Sequence, residues 1–260
     1  VLTFNFFFLI LNLREAIRLS RTGEEKVKIS GLQKVTLLDY PGLVACTVFT
    51  PGCNFRCPWC HNAGLVIRAE NDTVSEEEFF ALLKKRRGLL DGVCVTGGEP
   101  TLQSGLLDFI KKMKDLGYLV KLDSNGYSPK ILKEIVGSGL VDYVAMDLKN
   151  SLEHYPETVG MDPKEFKKEN ILESVEFLKS GSVDYEFRTT LIRQFHDAKR
   201  LKDMVPLLVG SKRYFLQNFK DSGDLVDESR KYEGFSADEC EEFQKIFLNA
   251  GVPCELRGIE

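Results

Sequence analysis

The chain has 260 residues, 43% hydrophobic and 28% charged, an ordinary balance for a folded globular protein with room for one large domain or two small ones. A net charge of −4 argues against nucleic acid as the main partner, and three histidines are few for imidazole chemistry spread over several residues. Seven cysteines, three of them crowded between 53 and 60, do not make a disulfide framework; they point to a metal in a reducing compartment, so a cytoplasmic location is expected.

In chain order, Leu2–Leu13 (LTFNFFFLILNL) comes first. It is apolar but too short to span a bilayer as a helix, which needs roughly 20 residues. No basic region precedes it and no small-residue cleavage site follows, as a signal peptide would require. Arg14, Arg18 and Arg21 lie on its C-terminal side. Residues 1–26 therefore read as a dispensable extension or, alternatively, a weak membrane-surface anchor. The functional domain is expected over 27–260, with no membrane span.

From Val27 onward, β-rich runs alternate with helical patterns. Leu43–Thr50 is a first strand and leads into the cysteine loop. Ser75 and Glu78 form a capping box ahead of an amphipathic helix over Glu76–Arg87. The next strands are expected at Gly92–Thr96, Tyr118–Asp123, Val141–Leu148, Asp184–Leu191 and Arg213–Gln217. Helices are expected near Leu102–Leu116, Pro129–Val136, Lys164–Lys179 and Ala198–Val209. A last helix, capped by Ser236 and Glu239, runs to Asn249, and Cys254–Arg257 is a short final strand.

Six strand–helix repeats without a long linker predict one α/β domain on a parallel sheet. Periodicity alone leaves a barrel, a partial barrel and a doubly wound sheet open. The polar residues favour the barrel, because Gly97–Glu99, Asp123–Asn125, Asp147 and Lys149 all fall at the C-terminal ends of successive strands.

Cys53, Cys57 and Cys60 form a C-x3-C-x2-C loop. Three thiolates fit three corners of an iron–sulfur cubane and leave one iron open, whereas an electron-transfer site normally has a fourth cysteine. Cys46, Cys94, Cys240 and Cys254 read as structural. The competing reading is a Cys3His zinc site with His61, although adjacent Cys60 and His61 are poorly spaced to meet one ion. Thr96-Gly97-Gly98-Glu99-Pro100 follows a strand, where glycines admit close backbone approach and a carboxylate suits an ammonium group. Asp123-Ser124-Asn125-Gly126 reads as a ligand-binding strand end or as an Asx-type turn. Asp147 and Lys149, two apart, share one face.

The cysteine spacing, with Trp59 at its aromatic position, resembles the radical S-adenosylmethionine superfamily. The resemblance implies a partial (β/α)6 barrel of the TIM-like type and a [4Fe–4S] cluster on Cys53, Cys57 and Cys60. S-adenosylmethionine would chelate the open iron and be cleaved reductively to a 5′-deoxyadenosyl radical. Its methionine amino group falls to Gly97, Gly98 and Glu99, and its carboxylate to Lys149. The ribose falls to Asp123, Ser124 and Asn125, and the adenine side to Trp59 and Thr190, with Arg188 at the fifth-strand position. His61 joins the cofactor-binding set, and Gln217 is a further candidate.

A narrower resemblance runs through D-x-P-G at Asp39–Gly42, C-x3-C-x2-C-H-N, GGEP, D-S-N-G and M-D-L-K, in order. It is to the enzymes that activate glycyl radical proteins, and Gly31–Gly42 leans towards the anaerobic ribonucleotide reductase type. This implies a glycyl radical enzyme as protein substrate, a flavodoxin- or ferredoxin-type electron donor, and Asp39 beside the entering glycine. It also implies a monovalent cation between Asp123 and Asp147. Two features depart from some relatives: 64–96 carries no cysteine-rich insertion, and Asn218-Phe219-Lys220 stands where a formate-lyase activator has a histidine. Two rivals are a radical enzyme acting on a small molecule in cofactor or modified-base synthesis, and a simple iron–sulfur electron carrier.

Overall fold

A computed structural model describes residues 26–67, 74–221 and 223–259. The apolar stretch 2–13 and the reading of it as an extension or anchor lie outside the described residues. Val27, near the start of the first described segment, is buried and donates its backbone N–H to Glu76 Oε1 at 2.7 Å.

The sheet has eight strands in chain order, so every neighbour in sequence is a neighbour in space. β1 (Gly31–Thr36) runs antiparallel to β2 (Ala45–Thr50). From β2 onward all pairings are parallel, through β3 (Gly92–Gly97), β4 (Leu119–Ser124), β5 (Tyr143–Asp147), β6 (Asp184–Leu191), β7 (Tyr214–Asn218) and β8 (Cys254–Arg257). Parallel neighbours need crossovers, and helices supply them. In order they are α1 (Ala63–Ile67), α2 (Glu76–Lys85), α3 (Leu106–Asp115), α4 (Pro129–Gly137), α5 (Tyr155–Val159), α6 (Lys168–Lys179), α7 (Ala198–Leu208) and α8 (Ala237–Asn249). β1 and β8 form the two edges and do not pair with each other, so this is a partial barrel of the TIM-like type.

The expected six units are all present, with no boundary moved by more than four residues. Both capping boxes form as expected. The third helix starts at Leu106 instead of Leu102, because Pro100–Leu102 makes a 3-10 turn capped by Glu99. Sequence reading missed β1, whose Gln33, Lys34 and Val35 are exposed and carry no clean alternation. It also missed α1 and α5, each of five residues and too short for a periodic signal.

Alternation divides each strand between two environments. One face carries Val48, Val95, Leu122, Met146, Phe187 and Leu216, which pack with the helices in one core. The other face lines the lumen, where Ala45, Ala145, Tyr40 and Tyr143 form a small separate cluster. Above that cluster the lumen is polar, with Thr47, Lys121 and Glu186 all buried. Glu186, 1% exposed, accepts both Nη atoms of Arg257 at 2.9 Å and the Tyr143 hydroxyl at 3.0 Å. Arg257 on β8 thus reaches across β7 to β6, with its guanidinium 3.4 Å from the Phe215 ring centroid. Among the described residues, no helix is long and apolar enough to cross a membrane.

Arg257→Leu should lower stability by roughly 3 kcal/mol, because it leaves the buried Glu186 carboxylate without its guanidinium. Urea denaturation of the cluster-free protein measures this, and a loss below about 1 kcal/mol would mean that the pair contributes little.

A candidate cluster and cofactor site

The C-terminal ends of the strands open on a cavity of about 280 Å³. Cys53, Cys57 and Cys60 line one side; Gly97, Gly98, Glu99, Asp123, Ser124, Asn125, Asp147, Lys149 and Arg188 line most of the rest. Nine of the expected cofactor residues therefore meet the three thiols in one place.

The cysteine loop is held from several sides by backbone contacts. Gly52 N–H donates to Leu65 O, and Arg56 N–H donates to Val159 O at 2.7 Å. Val226 and Asp227 donate to the carbonyls of Cys60 and Pro58. The closest contact comes from β3. Glu99 N–H donates to Gly52 O at 2.7 Å and Gly98 N–H to Thr50 O at 2.8 Å. A Cβ at Gly98 would sit 1.9 Å from Gly52 O, and one at Gly97, with φ +127°, 2.3 Å from Thr50 N and O. The two glycines are thus required first by the approach of two strand exits, where the sequence suggested room for a ligand.

All seven cysteines are free thiols, and only the three of the loop line the cavity. Burial pushes the Cys57 thiol up to about 12 and the Cys53 thiol up to about 11. Three thiols converging on one cavity without a fourth cysteine fit a cubane with one open iron. The Cys3His zinc arrangement is not formed. His61 stacks on Phe219, ring centroids 4.9 Å apart, and is absent from the cavity wall. Nor do three His, Cys, Asp or Glu side chains converge on a single-ion site among the described residues.

Glu99 proves to be a tie between loops. It is 1% exposed, accepts from Thr101 N–H, Thr101 Oγ1 and Ser124 Oγ with one oxygen, and from Asn125 N–H with the other. Burial raises its pKa, and these four donors oppose the rise. They join the Gly97–Gly98 turn to the Ser124–Asn125 turn, while Asn125 Nδ2 donates to Asn54 Oδ1 at 2.7 Å.

Beside this tie stands a belt of charge. Lys121 pairs with Asp123, and Arg188 contacts Asp123 at 3.3 Å and Asp147 at 2.8 Å. Lys149 Nζ donates to Asp147 at 2.9 Å. Burial would raise the two carboxyl pKa values, but Arg188 with Lys121 and Arg188 with Lys149 hold Asp123 and Asp147, respectively, below the usual range. Burial would likewise lower Lys149, but Asp147 raises it. With the Glu99 carboxylate in the same wall, Lys121, Arg188 and Lys149 stand against three carboxylates, Glu99, Asp123 and Asp147. Each oxygen of the two aspartates already accepts from an ammonium or guanidinium. This arrangement does not fit the monovalent cation expected between Asp123 and Asp147, because the Arg188 guanidinium already bridges the two carboxylates.

Trp59 and Thr190 do not line the cavity. The Trp59 ring lies 5.2 Å from Lys149 Nζ, and its buried Nε1–H has no partner among the described residues. Thr190 pairs in register with Gln217, which does line the wall. Asp39 is also outside the cavity; its carboxylate accepts from Thr47 Oγ1 at 2.5 Å, on the approach to β2. Sequence reasoning missed Asn62 and Thr96 in the wall, and Lys121. The same period of two that pairs Asp147 with Lys149 also puts Lys121 beside Asp123.

The family model for the radical SAM superfamily matches residues 47–204. A protein of Methanocaldococcus jannaschii, provisionally named a glycyl-radical enzyme activating enzyme, is 30% identical over 230 residues, covering 85% of this chain and 92% of its own. The pyruvate formate-lyase-activating enzyme of Clostridium pasteurianum is 31% identical over 128 residues, 47% of this chain and 52% of its own. In fold, the chain is similar to a radical SAM methyltransferase from Sphaerobacter thermophilus, with TM-score 0.64 and 14% identity over 86% of this chain and 68% of that one.

Gly98→Ala should leave the protein folded but cut iron and sulfide retention after anaerobic reconstitution severalfold, since the added Cβ must displace the cysteine loop. Wild-type iron content in that variant would show that the loop yields freely. A second expectation concerns pH. Burial pushes His196 down to about 4, outweighing its bonds to Lys149 and Ile192. Its folded value is below its unfolded one, so its contribution to stability is full above about pH 6.5 and lost as pH falls towards 4. Between pH 7 and 4.5, wild type should lose roughly 2–3 kcal/mol more than His196→Gln in urea titrations of the cluster-free protein. Equal losses would place the imidazole in an ordinary environment.

Proposed function

The chain belongs to the radical SAM superfamily, and on that footing we propose that it installs a glycyl radical on a partner enzyme, most specifically an anaerobic ribonucleotide reductase. A relative matched along nearly its whole length supports the activating type, and Gly31–Gly42 supports the reductase. The observation that carries the chemistry is the single cavity shared by three free thiols, the glycine turn and the Lys149 ammonium.

Cys53, Cys57 and Cys60 would hold the [4Fe–4S] cluster. When bound, cluster and S-adenosylmethionine supply one-electron cleavage and a 5′-deoxyadenosyl radical that takes a hydrogen atom from a glycine Cα. The protein's part is binding, orientation and exclusion of water. The Lys149 ammonium receives the methionine carboxylate. Gly97, Gly98 and Glu99 face the amino group, and Asp123, Ser124 and Asn125 face the ribose. Trp59, His61 and Thr190 flank the adenine side, with the Trp59 indole N–H still free to donate. Asp39 guides the incoming glycine-bearing segment through the unclosed side of the barrel. A flavodoxin- or ferredoxin-type protein in the cytoplasm delivers the electron.

Lys149→Ala should weaken S-adenosylmethionine binding roughly 10- to 100-fold, as expected for a lost charged hydrogen bond, at unchanged cluster content. Unchanged affinity in calorimetry would remove Lys149 from the site. For the reaction itself, the reduced, cluster-loaded chain mixed with an anaerobic ribonucleotide reductase should give a doublet glycyl radical in electron paramagnetic resonance. Asp39→Ala should depress that signal without loss of cluster. Turnover of a small molecule, with no radical on any glycyl radical enzyme, would overturn the proposal.

A further inference from the structure

The exit of β5 is the point where the chain leaves the sheet and turns its charged side chains to the cavity. Its ladder ends at Asp147, so the carbonyls that follow need other donors. Three successive carbonyls receive them from side chains. Tyr155 Oη donates to Asp147 O at 3.3 Å, Thr189 Oγ1 to Leu148 O at 2.7 Å, and His196 to Lys149 O at 2.9 Å. Each donor comes from a different element, so the stretch 147–149 is fixed residue by residue.

His196 is 3% exposed and does not line the cavity. Nε2 faces the Lys149 carbonyl, which can only accept, so in the neutral ring the proton is on Nε2; Nδ1, 3.2 Å from Ile192 O, then accepts from Ile192 N–H at 3.0 Å. The charges of Arg200 and Asp197 act on it in opposite directions. The neighbouring Asn150, fully buried, donates to Thr158 Oγ1 and Phe195 O and anchors the next residue to the same loop. The 191–197 turn therefore grips the backbone of Lys149, whose ammonium stands 5.2 Å from Trp59 and 2.9 Å from Asp147.

We propose that His196 is a positioning residue for S-adenosylmethionine: its Nε2–H holds the Lys149 carbonyl and so aims the ammonium at the cofactor's carboxylate. The inference rests on the reading of Lys149 given above. An ammonium on a flexible stem binds a carboxylate best when its backbone is fixed, because less freedom is lost on binding.

The test is a double-mutant cycle read by calorimetric titration of S-adenosylmethionine into the cluster-loaded enzyme. His196→Asn keeps an acceptor for Ile192 but is too short to reach Lys149 O; His196→Gln places an amide N–H near the original Nε2. His196→Asn should weaken binding roughly fivefold, the equivalent of one neutral hydrogen bond, and His196→Gln should restore it to within about twofold. In a Lys149→Ala background, His196→Asn should have no further effect. Unchanged affinity in His196→Asn overturns the proposal, as does an undiminished effect in the Lys149→Ala background, which a merely structural histidine would give. If Lys149→Ala itself binds normally, the reading of Lys149 fails, and this proposal falls with it.

Discussion

The site depends on one close approach. The backbone of Gly98 and Glu99, leaving β3, lies against that of Thr50 and Gly52, leaving β2, with no space between them for a methyl group. That contact sets the cysteine loop over the barrel mouth. It also places Glu99 where its carboxylate can collect four donors from its own turn and from the exit of β4. Three successive strand exits are thereby locked together before any cofactor binds, which is what preorganisation of a reactive site requires.

Electrostatics supplies the second level. The lumen carries charged groups that a packed α/β barrel would replace by aliphatic side chains. Lys121, Arg188 and Lys149 are paired with Asp123 and Asp147, and the Glu99 carboxylate lies in the same wall. Buried charges are tolerated only when paired, and each of these groups is held by its partners. The Lys149 ammonium has donors left for a further carboxylate besides Asp147, whereas Arg188 already stands between the two aspartates.

The partial closure of the barrel matters for the same reason. β1 turns back antiparallel on β2, so the sheet ends in an exposed hairpin beside Asp39. β8 is short and tied back to β6 by Arg257. The sheet is left unclosed between these edges, and the proposed function uses that side for the entry of a protein segment.

The strand–helix order, the capping boxes at Ser75 and Ser236, and the three cluster cysteines were legible in the sequence, because each is a local pattern of period, cap chemistry or spacing. So were Asp123, Asp147 and Lys149, since a polar residue at the C-terminal end of a buried parallel strand stands where such barrels gather their chemistry. Tertiary structure alone decided what those residues touch. It made Glu99, read as a carboxylate for an ammonium group, a buried tie between loops, filled the space between Asp123 and Asp147 with Arg188, and stacked His61 on Phe219. It also brought His196 to the carbonyl of Lys149 across 47 residues. Sequence period sets which face a side chain leaves from, but its partner depends on the register of strands joined by crossovers, and no local pattern encodes that distance.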